Sequence, residues 1–150
     1  MNTIKKIILF GTGNTLRGDD GIGAYICQAV EKQQISGVET LQITQLNTDL
    51  LDEMMKADHV IVADASASVE SVHFYPVSED ETTPVSSSHH MSAGLLVKTA
   101  QLLYQKPLSI FICAVRGYDF SLREGLTADA KKNADQAVSI ILDKIRLLSD

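Results

Sequence analysis

The chain has 150 residues, 45% hydrophobic and 21% charged, with a formal net charge of −6 and a pI near 5.1. Such a composition suits one soluble globular domain, residues 1–150, with a sizeable core. The acidic balance argues against nucleic acid or an acidic membrane surface as partner, and no apolar run approaches the roughly 20 residues that span a bilayer.

Met1-Asn-Thr-Ile-Lys-Lys leads straight into an apolar run without a small-residue cleavage site. This predicts no signal peptide and a cytoplasmic location. Lys5–Gly11 reads as a buried strand. Gly21–Gln34 reads as a helix, with Ile22, Tyr25, Ile26, Ala29 and Val30 on one face. Val38–Thr44 alternates apolar and polar residues, as a half-buried strand does. Thr48–Lys56 reads as a short helix capped by Asn47 or Thr48. His59–Ala63 is a second continuous apolar run, ending at Asp64.

Ser71–Val77 reads as a further strand, and Ser78–Ser88 as a loop rich in serine, threonine and acids. A helix follows from about Ser92 to Gln105. Leu108–Val115 is the third continuous apolar strand, Arg116–Gly125 a polar loop, and Thr127 caps a last helix to about Leu148. Continuous apolar strands separated by helices predict a mostly parallel sheet covered on both faces. The two cysteines, Cys27 and Cys113, lie far apart in apolar patterns, which favours buried free thiols.

The most informative stretch is Gly11-Thr-Gly-Asn-Thr-Leu-Arg-Gly-Asp-Asp-Gly-Ile-Gly23, between the first strand and the first helix. Glycine-rich turns in this position often cradle phosphate. This one does not fit. Leu16 stands where a dinucleotide fingerprint needs its third glycine, and Asp19-Asp20 replace the Lys-Ser/Thr of a P-loop. Two carboxylates repel phosphate and suit a cation, although an acid in a first helical turn also serves as a plain cap.

Sites in open parallel sheets form outside the carboxyl ends of the strands. Asp20 follows the first strand and Asp64 ends another. His89 and His90 lie in the loop Val85-Ser-Ser-Ser-His-His-Met91, just before a helix. Two carboxylates and an imidazole suit zinc, nickel, manganese or iron, and three protein ligands leave positions open for water or substrate. Each residue also has a plainer reading: a strand-end acid that accepts hydrogen bonds, and a solvated histidine pair. Gly-x-Ser-x-Gly and His-Glu-x-x-His are both absent, and Ser86, Ser87 and Ser88 read as a serine-rich turn.

The loop and its partners resemble the hydrogenase maturation endopeptidases. That family carries Gly-x-Gly-Asn-x-x-x-Gly/Thr-Asp-Asp/Glu-Gly/Ala-x-Gly after a strand, and residues 11–23 match every defined position. Val60-Ile-Val-Ala-Asp64-Ala65 resembles the family's strand ending in Asp-Ala. Ser88-His89-His90-Met91 resembles its Ser/Thr-His-x-Leu/Met segment. The resemblance implies a three-layer α/β/α sandwich whose five-stranded mixed sheet is mostly parallel, with one antiparallel edge strand; Ser71–Val77 is the candidate for that edge. It also implies an endopeptidase that trims a C-terminal extension from the large-subunit precursor of a nickel-iron hydrogenase after nickel insertion. Asp20, Asp64 and His89 match the side chains that contact nickel in the family, with Met91 selecting His89 over His90. On this reading nickel arrives with the substrate, and zinc or another divalent metal is the candidate occupant in isolation. Asp19 becomes a supporting residue or a cap on the helix near Gly21, and residues 116–125 fall where the family varies. A nickel-sensing chaperone that does not cleave, and a small nucleotide-binding domain, are the competing functions.

Overall fold

Three apolar runs make the centre of one five-stranded sheet, with strand order β2-β1-β3-β5-β4. The computed structural model describes residues 4–78 and 88–150, and the side chains of these except 88–92. The strands are β1 (Ile7–Thr12), β2 (Val38–Ile43), β3 (His59–Ser66), β4 (Val72–Pro76) and β5 (Ile110–Arg116). The pairs β1–β2, β1–β3 and β3–β5 are parallel, and β4 lies antiparallel on β5 with Phe74 opposite Cys113. Val72–Pro76 is thus the antiparallel edge that the family resemblance implied.

Strand alternation sorts the core into two halves. Ile7, Leu9, Ile61, Ala63, Cys113 and Val115 pack toward helices α1 (Ile22–Glu31) and α4 (Ala128–Leu148). Ile8, Phe10, Val60, Val62, Ile110 and Ile112 pack toward α2 (Leu51–Met55) and α3 (Ser88–Tyr104). Both faces of the central strands are therefore covered, and no residue of β1 is exposed. Each fully buried isoleucine, leucine or phenylalanine contributes about 1.5–3 kcal/mol. Helix α4 sets Ala130, Ala134, Ala137, Ile141 and Ile145 on one buried face, a spacing of three to four residues. Its alanines let the backbone approach α1 closely.

Several boundaries differ from the sequence reading. β3 continues past Asp64 because Ala65 and Ser66 extend the ladder opposite Val115 and Arg116. Asn47 is the cap of the segment after β2, which begins as a 3-10 turn, Thr48–Leu50, before α2. Helix α3 starts at Ser88, so His89 and His90 stand in its first turn rather than in a preceding loop. No glycine or proline separates Ser88 from Ser92, and nothing there stops a helix from beginning early. The loop expected over Ser78–Ser88 lies largely outside the described residues.

The chain leaves β1 toward β2 on one side and later returns to place β3 on the other. The carboxyl ends of β1 and β3 therefore flank the point where the strand order reverses. Open α/β sheets bind ligands in the crevice at such a point.

Candidate active site

The glycines of residues 11–23 are dictated by close approach. Gly13 has φ +127°, and a Cβ there would overlap the carbonyl oxygen of Asp20. Gly23, in the first turn of α1, sits against β1; a Cβ would press on the Thr12 backbone and on the Ala63 carbonyl. The loop thus folds back so that a tight 3-10 turn, Gly18–Gly21, lies over the end of β1 and presents Asp19 and Asp20.

The two acids diverge completely. Asp20 is partly exposed, and its Oδ2 accepts a 2.7 Å hydrogen bond from the Asn14 N–H across the loop. Asp19 is 0% exposed. Its Oδ2 accepts from the N–H groups of Tyr118 at 2.7 Å and Asp119 at 3.0 Å, and from the Thr127 hydroxyl at 2.9 Å. Its Oδ1 accepts from the Thr127 N–H at 2.7 Å. Burial alone would raise the pKa of Asp19, but these donors outweigh it and hold the carboxyl below its ordinary value. Asp19 does not cap the helix near Gly21, whose N-terminus has no side-chain cap. It ties the acidic turn to the loop after β5 and to the N-cap of α4. The Thr127 hydroxyl completes that cap by accepting from the Ala130 N–H.

Asp64 is 1% exposed on β3. The register sets Gly11 beside Ala63, so Thr12 and Asp64 are neighbours at the strand ends. The Thr12 hydroxyl donates to Asp64 Oδ1 at 2.8 Å. By alternation both lie on the sheet face that α2 and α3 cover. The structure therefore sets Asp64 on β3, and Asp20 in the turn that follows β1, at the carboxyl edge where the strand order reverses. Of the third residue, His89, only the backbone position in α3 is described. Among the described residues no three histidine, cysteine, aspartate or glutamate side chains form a metal-binding group, and the side chains of His89 and His90 are outside that set.

The thiols are unsuited to nucleophilic attack. Cys27 and Cys113 are free and buried. Burial pushes Cys27 up to about 11 and Cys113 up to about 12, so both are protonated near neutrality. Ser66, at the end of β3, accepts from the N–H groups of Ser68 and Val69 in a local turn.

Two supporting features escaped sequence reasoning. Asn133 of α4 donates to both the Arg116 carbonyl and the Tyr118 hydroxyl, and the Arg116 guanidinium stands over the Tyr118 ring. The loop after β5 is thereby braced from the helix side as well as by Asp19. The available signal was an asparagine on an otherwise alanine-lined helix face.

An α/β sheet with an acid-bearing glycine loop at its strand reversal defines the class of site. Comparison with known proteins narrows it. No protein-family model matches the chain. It is 26% identical over 149 residues to the hydrogenase 2 maturation protease of Escherichia coli, covering 94% of this chain and 91% of that protein. Its fold matches the E. coli hydrogenase maturating endopeptidase HybD with a TM-score of 0.77 and 25% identity, over 94% of this chain and 92% of that one. It also matches the nickel-iron hydrogenase maturation protease HybD of Thermococcus kodakarensis, with a TM-score of 0.75 and 19% identity over 93% and 99% of the two chains; at that identity the likeness speaks for the fold. The family that residues 11–23 resemble is the family of these neighbours, the hydrogenase maturation proteases.

Proposed function

We propose that the protein is an endopeptidase that removes the C-terminal extension of a nickel-iron hydrogenase large-subunit precursor once nickel is in place. The observation that carries this reading is the likeness to the E. coli maturation protease along almost the whole chain. The geometry supports it. Asp20 and Asp64 offer hard oxygen donors at one edge of the sheet, and each is oriented by a hydrogen bond from β1 or its loop. Helix α3 packs on the face that carries Asp64, and its first turn holds His89, the imidazole of the proposed set.

Two carboxylates and a neutral imidazole fit nickel carried in by the precursor. Nickel would supply Lewis acidity toward the scissile carbonyl. The protein's own groups supply the rest. A carboxylate takes the proton of an attacking water, the water oxygen bonds to the carbonyl carbon, the C–N bond breaks, and the proton passes to the departing amine. A water nucleophile accords with thiols held protonated by burial. Shared ligation would also gate the reaction, because each ~1.4 kcal/mol of added coordination energy raises occupancy tenfold.

The test is to incubate the protein with tailed large-subunit precursor, nickel-loaded or nickel-free, and to weigh the products. Cleavage of the loaded precursor alone is expected. Efficient cleavage of nickel-free precursor in a strong chelator would overturn the metal requirement. Binding without cleavage of either form would replace the protease reading with a nickel-sensing chaperone.

A further inference from the structure

A cleft of about 250 Å³ opens beside the acidic turn, between α1 and the start of α4. Thr15, Gly21 and Ala24 line it together with Tyr25 and Leu126, and Lys131 stands at its rim. Gly18 and Gly21, the first and last residues of the 3-10 turn that holds Asp20, both border it. The cleft thus adjoins the turn that carries Asp20.

The cleft has a fixed shape. Asp19 ties its Gly18–Gly21 side to Thr127. The Gly18 N–H donates to the Arg123 carbonyl at 2.8 Å and the Arg123 N–H to the Leu16 carbonyl at 3.0 Å, which zips the two loops together. The Tyr25 hydroxyl donates to Asp135 of α4 at 2.5 Å, which holds the ring in place. Among the described residues Lys131 forms no ion pair. It is thus a cation at the rim of a mostly apolar cleft, in a protein of net charge −6.

From this juxtaposition we propose that the cleft receives the peptide tail being removed, with an apolar side chain against Tyr25 and Leu126 and a carboxylate of the tail against Lys131. The inference rests on the proposed processing activity. The charge arrangement selects an acidic, apolar-bearing tail over a basic one. A single like charge against Lys131 suffices for discrimination, because the rest of the wall is uncharged.

The test uses the full protein and the tailed, nickel-loaded precursor, with kcat and KM measured at low and moderate salt. Lys131→Glu is expected to raise KM roughly tenfold with little change in kcat, and to lack the rise of KM with salt expected of the unaltered protein. Lys131→Arg should retain the original KM. Gln28→Trp, which narrows the cleft from an exposed position of α1, should also raise KM. Melting temperatures confirm that each variant is folded. If the unaltered protein cleaves and neither Lys131→Glu nor Gln28→Trp moves KM, the tail lies elsewhere and the cleft proposal fails while the protease reading stands. A loss confined to kcat likewise overturns it. If the unaltered protein does not cleave, the processing reading falls and takes this inference with it.

Discussion

Thr127 and Asp19, 108 residues apart, are joined twice: the Thr127 N–H donates to one carboxylate oxygen of Asp19 and the Thr127 hydroxyl to the other. The same hydroxyl accepts from Ala130 and so starts the last helix. One threonine thus couples a helix cap to the acidic turn.

Asp19→Asn leaves buried N–H donors facing an amide nitrogen. Unpaired buried donors cost about 1–3 kcal/mol each, so destabilisation of at least ~2 kcal/mol is expected, a fall in Tm of about 4–8 °C. Calorimetry of the variant checks this. An unchanged Tm would mean that the clasp carries no stability.

The same carboxylate makes stability depend on pH. The pKa of Asp19 in the folded state is below its unfolded value of 3.8, so the unfolded chain binds the proton more readily. The contribution is fully present above the unfolded pKa and is lost as pH falls through the folded pKa. Urea midpoints measured from pH 6 down to pH 3 should fall less steeply for Asp19→Asn than for the unaltered protein.

Asp20→Asn behaves in the opposite way. The side chain is partly exposed, and an amide oxygen can still accept from Asn14. Stability should change by under about 1 kcal/mol, whereas processing of the tailed precursor should vanish. Retained processing in this variant, with loss in an equally well folded Asp19 variant, would assign the chemistry to Asp19 instead.

Thr12→Val removes the hydroxyl that donates to Asp64 and keeps the side-chain shape. A neutral-to-charged hydrogen bond of this kind contributes about 1.5–3 kcal/mol. The expected result is a folded protein with processing reduced at least several-fold. Unaltered turnover would mean that Asp64 needs no help from β1.

Both thiols should be chemically silent. Iodoacetamide at pH 8 should leave Cys27 and Cys113 unmodified in the folded protein, as read by intact mass, because burial keeps both far from ionisation. Rapid alkylation with loss of activity would reopen a thiol nucleophile.

The three apolar runs announced β1, β3 and β5, because strands buried on both faces need no alternation. The separation of Asp19 from Asp20 was not legible. Adjacent acids look alike in sequence, and the partners of Asp19 come from residues 118–127, beyond any local periodicity. The antiparallel course of β4 was equally hidden from pattern, since Val72–Pro76 is short and only partly buried; the family resemblance supplied it. The continuous apolar run stops before Asp64, and only the pairing of Ser66 with Arg116 reveals that the strand continues.

The Asp19 clasp also sets a schedule for synthesis. Asp19 is translated 108 residues before Thr127, the last of the residues that donate to it. At about 5–20 residues per second, the turn waits roughly 5–20 s for its anchor. A nascent chain therefore carries the Asp19 carboxylate long before it can hold it in place.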